Sequence, residues 1–124
     1  LDILIVEDEA ILAMEYLLLL RDLGFSAVEH AFDGRAALAA VERSLPKVIL
    51  LDIKLRGKID GIEVAEIIRR RHDVPIVFIT AYADTETLGR ARRTRPAFIL
   101  NKLSNQREFC RVVEELMSQQ CGIS

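Results

Sequence analysis

A chain of 124 residues, 51% of them apolar, has the size and the apolar content for one core, so a single domain over residues 1–124 is expected, with no separate output domain. The net charge of −2, from 17 basic and 19 acidic side chains, sets up no overall field toward nucleic acid or anionic lipid. Cys110 and Cys121 lack zinc-ligand company and fit reduced thiols; with no charged-then-apolar leader and no apolar run long enough for a bilayer, a soluble cytoplasmic protein is expected.

The apolar run Ile3-Leu4-Ile5-Val6 ends abruptly in Glu7-Asp8-Glu9, which reads as a buried strand entering an acidic loop. Ala10 to Leu23 is rich in helix formers and stops at Gly24. Ser26 to Ala31 suits a second strand, and Asp33-Gly34 leads into a helix with Ala37, Ala40 and Val41 on one face, closed by Pro46. Val48 to Leu51 is a β-prone run ending at Asp52. A glycine-punctuated loop through Gly61 follows, then a helix aligning Val64, Ile67 and Ile68. Ile76 to Thr80 gives a fourth strand, Asp84 to Arg93 a weaker helix, and Phe98-Ile99-Leu100 a fifth strand. Phe109, Val112, Val113, Leu116 and Met117 mark one face of a last helix.

Strands alternating with helices imply a doubly wound α/β fold, because parallel strands need helical crossovers that pack on the sheet faces. At this length the expected fold is flavodoxin-like, (βα)5, with strand order 2-1-3-4-5 and ligands beyond the carboxyl ends of the strands. Those ends carry Glu7 and Asp8, Asp52, Thr80 and Lys102. Crowded carboxylates repel one another unless a cation or a raised pKa relieves them, and Mg²⁺, which prefers oxygen ligands and keeps room for a phosphate oxygen, suits such a cluster. Asp52 can then act as a nucleophile toward phosphorus, with Thr80 and Lys102 binding the transferred oxygens. Taken singly, the acidic pair also reads as helix capping, Thr80 as an ordinary strand residue and Lys102 as a solvated charge. Their joint placement at one sheet edge singles them out.

Val6-Glu7-Asp8-Glu9, Leu51-Asp52, Thr80-Ala81 and Lys102 on five βα units resemble the receiver domains of bacterial response regulators. The resemblance covers essentially the whole chain. It implies Asp52 as phosphoacceptor, Asp8 as a direct Mg²⁺ ligand, Glu7 as a water-mediated one and the backbone carbonyl of Lys54 as a third. It implies a phosphohistidine of a sensor histidine kinase, or a small acyl phosphate, as donor, and a downstream signalling protein or linked output domain as partner, met around helix 4, strand 5 and helix 5. No conventional substrate turnover, direct nucleic-acid contact or membrane contact is expected.

The sequence departs from that pattern at several places. The lysine is followed by Leu103 in place of proline, which implies a trans bond and a different local loop. The usual aromatic switch position is Ile99, with Phe98 and Tyr82 as nearby substitutes beside Ala81. The loop Leu55-Arg56-Gly57-Lys58 lacks the customary proline and is a residue longer before Asp60-Gly61. Phe78-Ile79-Thr80-Ala81-Tyr82 looks like the signature of the atypical receivers called FATGUY, associated with HWE-type histidine kinases.

In the fourth helix Leu88 and Ala91 are the main apolar anchors among arginines, so a mobile helix reshaped by phosphorylation is expected. Those arginines, and Arg69-Arg70-Arg71-His72, read as solvated faces. His30 and His72 have no ligand-spaced companions. Helix 1 has too many leucines for one buried face, which adds kinase docking or homodimerisation there as a second expectation beside ordinary surface exposure. Two other functions compete with this one. A Mg²⁺-dependent phosphohydrolase with an aspartate nucleophile wants a second carboxylate at the position of Lys54, and a degenerate receiver acting only as an interaction module would have lost part of the acidic cluster or the lysine.

Overall fold

The strands are buried along their whole length where the sequence is most continuously apolar, because helices cover both faces of the sheet. The computed structural model describes residues 1–81, 84–102 and 106–121, with residues 120 and 121 described in backbone only. Tyr82, the peptide bond to Leu103 and the Cys121 side chain, on which expectations were placed, lie outside the described residues.

In chain order the elements are β1 (Ile3–Val6), α1 (Ala10–Asp22), β2 (Val28–Ala31), α2 (Gly34–Arg43), β3 (Val48–Asp52), α3 (Gly61–Arg69), β4 (Ile76–Thr80), α4 (Thr85–Arg93), β5 (Phe98–Asn101) and α5 (Gln106–Cys121). The five strands are parallel in the order β2-β1-β3-β4-β5, the flavodoxin-like arrangement expected from the sequence.

Alternation along each strand divides the core. Leu4, Val6, Ile49, Leu51, Ile76 and Phe78 face α2 and α3, and Ala91 of α4 joins them. Ile3, Ile5, Val48, Leu50, Val77 and Ile79 face α1 and α5. On that second face Tyr16 of α1 stacks on Phe109 of α5, ring centroids 5.2 Å apart, and the apolar face Val112, Val113, Leu116 and Met117 is buried as its spacing predicts.

Local chemistry fixes the helix starts. Asp33 accepts the Ala36 N–H at 2.8 Å and Asp84 accepts that of Thr87 at 2.7 Å. At α3, Asp60 and Glu63 form a reciprocal capping box. The next residue, Gly61, donates its N–H to Ile53 O at 2.9 Å and lies so close to β3 that a Cβ would overlap the Asp52 carbonyl oxygen.

The fourth helix is better fastened than its composition predicts. Arg69 of α3, read from the sequence as part of a solvated face, is half-buried and donates to the carbonyls of Thr94 (2.9 Å), Val74 (2.5 Å) and Arg95 (3.1 Å). It thereby satisfies carbonyls at the end of α4, where Arg95 turns through a left-handed conformation with φ 58°. Leu18 of α1 points outward as expected, and it shares its stripe with exposed Ile11 and Met14.

Candidate functional site

Three carboxylates meet at the C-terminal edge of the sheet, with Glu7, Asp8 and Asp52 offering oxygens that lie within 4.8 Å of one another. They arrive there from adjacent strands, since β1 pairs with β3 in register through Val6 and Leu51. The capping reading of the acidic pair fails, because the α1 N-cap is Glu9, with no side-chain cap hydrogen bond, and no acidic residue occupies the first turn.

Glu7 is 1% exposed and fastened on several sides. Its N–H donates to Ala31 O at 3.1 Å, its carbonyl accepts from His30 Nε2 at 2.7 Å, and its Oε2 accepts the Glu9 N–H at 3.0 Å. Because a carbonyl can only accept, His30 carries its proton on Nε2. The remaining oxygen, Oε1, is buried with no hydrogen-bond donor. Lys102 Nζ lies 3.3 Å from it, close enough for ionic attraction. Burial, partly countered by the Glu9 N–H, pushes the Glu7 carboxyl up to about 7.

Asp52, 4% exposed, accepts the Lys54 N–H at 3.1 Å on Oδ1 and Lys102 Nζ at 3.1 Å on Oδ2. Burial raises its pKa while the Lys102 charge opposes the rise. Burial would depress the Lys102 ammonium, but Asp52 and Glu7 hold its pKa above the usual value. The Lys102 N–H donates to Thr80 O at 2.8 Å, which sets the two residues side by side. Thr80 is buried, and together with Asp8, Asp52, Lys54, Ala81 and Lys102 it lines an open cleft of about 240 Å³. Asp8 has a partner that sequence reasoning missed: its Oδ2 accepts the Arg56 N–H at 3.0 Å and lies 3.5 Å from Arg56 Nε.

The donor set fits Mg²⁺. It is all oxygen and anionic, and it includes one buried carboxylate oxygen that no hydrogen bond satisfies. The predicted switch residues sit to one side. Ala81 is exposed, half-buried Ile99 lines a neighbouring cleft with Thr80 and Leu88, and half-buried Phe98 packs into the core under α1 and α5. His30 was also missed as a support, although strand pairing of Ile5 with His30 places it within reach of Glu7.

The family model "Response regulator receiver domain" matches residues 3–114. Among curated relatives, the transcriptional regulatory protein PdtaR of Mycobacterium tuberculosis is 36% identical over 90 residues, 73% of this chain and 43% of that protein. The nitrogen assimilation regulatory protein NtrX of Azorhizobium caulinodans is 42% identical over 88 residues, 69% of this chain and 19% of that protein. The chain thus spans less than half the length of these relatives. The solved receiver domain of NtrX from Brucella abortus superposes with a TM-score of 0.86 at 30% identity, covering 94% of this chain and 98% of that one. The N-terminal domain of a response regulator/sensory box/GGDEF protein from Carboxydothermus hydrogenoformans gives 0.86 at 29% identity, over 97% and 96% of the two chains. With fold, edge chemistry and sequence match in agreement, the chain belongs to the response regulator receiver domain family, the signalling modules of two-component systems.

Proposed function

We propose that Asp52 is the phosphoacceptor and that Glu7, Asp8, Asp52 and the backbone carbonyl of Lys54 hold the Mg²⁺ that the reaction needs. The observation that carries this reading is the buried Asp52 carboxylate, held between the Lys102 ammonium and the Lys54 N–H at the sheet edge where three carboxylates converge. A carboxylate oxygen of Asp52 attacks phosphorus, and the bond from phosphorus to the donor breaks. The donor leaves with the electron pair, as the imidazole of a kinase histidine or as a small carboxylate, and an aspartyl acyl phosphate results. Mg²⁺ bound at the carboxylates supplies positive charge against the phosphoryl oxygens. Lys102 provides a fixed ammonium for one of those oxygens, and Thr80 a hydroxyl hydrogen bond for another.

On this reading residues 1–124 act as one receiver unit that alters a partner surface and turns over no conventional substrate. The position of Lys54 supports the last point, because a lysine stands where an aspartate-nucleophile phosphohydrolase needs its acid. Partners would be a sensor histidine kinase, of the HWE type if the Phe78 to Tyr82 signature holds, and a downstream protein or linked output domain. Direct nucleic-acid contact by this unit is not proposed, in line with its net charge of −2. No helix among the described residues is long and apolar enough to cross a membrane, which is compatible with a cytoplasmic site.

The test is intact-mass analysis after incubation with Mg²⁺ and acetyl phosphate. One phosphoryl adduct is expected on the native chain and none on Asp52→Asn. An adduct that survives the substitution, or rapid hydrolysis of ordinary phosphate esters, would reject the proposal.

A further inference from the structure

We infer that Arg56 is a latch on the cation site, acting as an internal counter-ion of Asp8 that a divalent cation must displace. The inference rests on the reading of Glu7, Asp8 and Asp52 as the Mg²⁺ site. Arg56 holds Asp8 twice, by a hydrogen bond from its backbone N–H at 3.0 Å and by ionic attraction from its guanidinium Nε at 3.5 Å, and both reach Oδ2. The pair is unequal in exposure: the Asp8 side chain is only 10% exposed, whereas that of Arg56 is 83% exposed. Asp8 therefore has little water to solvate its charge, while the arginine can swing into solvent without loss of packing.

The loop makes this contact available. Gly57, at φ 109° with open space where a Cβ would be, supplies the left-handed turn just after Arg56. Arg56 also borders the cleft that contains Asp52, Thr80 and Lys102, so it lies on the route to the carboxylates. Lys102 already compensates Glu7 and Asp52, at 3.3 and 3.1 Å. Arg56 gives the third carboxylate its own cation. Each carboxylate thus has an internal cation within 3.5 Å, with Lys102 shared by two of them, and an entering Mg²⁺ competes with the more exposed of the two cations, Arg56.

Mg²⁺ affinity, read by isothermal titration calorimetry on protein freed of divalent cations, tests the latch. Arg56→Gln keeps the backbone N–H and removes the guanidinium, and it should bind Mg²⁺ about fivefold more tightly, the upper end for a partly exposed ion pair. Arg56→Lys should fall between the two. Arg35→Gln removes the same charge from the adjoining cleft, which Arg35 shares with Arg56, and should change affinity less than about twofold. Equal tightening in Arg56→Gln and Arg35→Gln, or unchanged affinity in Arg56→Gln, overturns the latch while leaving the Mg²⁺ site intact. If Asp8→Asn binds Mg²⁺ as well as the native chain does, the site reading itself fails and the latch with it.

Discussion

Replacing Glu7 by glutamine should stabilise the cation-free protein, and only at neutral to alkaline pH. The side chain keeps its shape and its acceptor for the Glu9 N–H, its amide NH2 takes the place of Oε1, and Lys102, which loses that oxygen, turns wholly to Asp52. What disappears is an ionised carboxyl in a position 1% exposed to solvent. Its pKa is raised from 4.5 to about 7, so between those values the folded protein retains a proton that the unfolded chain has released. Stability due to this group is therefore full below about pH 4.5, falls as pH rises, and is lost above about pH 7. That interval is equivalent to about 3 kcal/mol. Urea denaturation followed by circular dichroism, in EDTA, should find Glu7→Gln more stable by about 3 kcal/mol near pH 8.5, with the gap closing toward about pH 5. On the proposed cation site, saturating Mg²⁺ should shrink or reverse the difference, because the native Glu7 carboxylate adds a charge to the site that glutamine lacks. A variant less stable than native near pH 8.5, or a gap independent of pH, would refute the argument that burial outweighs the attraction of Lys102.

Gly61→Ala drives a methyl group into the Asp52 carbonyl, where rigid backbone on both sides cannot yield; a loss of about 3 kcal/mol in urea melts is expected. Adduct formation with acetyl phosphate should also slow, because the displaced backbone carries the proposed nucleophile; native rates in this variant would show that the α3 start and Asp52 are uncoupled. Arg69→Ala strips three carbonyls of their donor and should cost about 3 kcal/mol. Its faster amide exchange should be concentrated in residues 90 to 95, and uniform acceleration across the chain would argue against a local clamp.

Much of the molecule was legible because parallel sheets have a strong signature. Continuous apolar runs such as Val48 to Leu51, each ending at a polar residue, mark buried strands and their ends together. The five-strand order then brought Glu7, Asp8, Asp52, Thr80 and Lys102 to one edge. Three arginine and histidine roles were not legible, and for a common reason. His30 reaches Glu7, Arg56 reaches Asp8, and Arg69 reaches Thr94 and Arg95, each through a bond between positions far apart in sequence and to a partner that tolerates many donors. No spacing rule encodes such a bond. Composition was silent in the same way on how α4 ends: its own residues offer few apolar anchors, as the sequence indicates, and its terminal carbonyls are satisfied by a side chain from another helix. The second strand is shorter than its β-prone stretch, since Ser26 and Ala27 are exposed and of their backbone groups Ala27 O pairs, accepting the N–H of Asp2 at 2.8 Å and of Ile3 at 3.3 Å.

The Arg69 clamp makes α4 a lever. Its last turn is pinned by Arg69 and by the buried Ala91, while Thr85 and Glu86 at the other end are exposed. Nine residues of α-helix span about 13 Å, so a tilt of about 10° about the pinned turn carries the free end roughly 2 Å. That free end follows Thr80 and Ala81 in the chain, and Ile99 and Leu88 border the space between them. On the proposed role of Thr80 in binding the phosphoryl group, a small change there would become an angular motion with its fulcrum on α3, and the exposed Arg92 and Arg93 would sweep through unequal arcs.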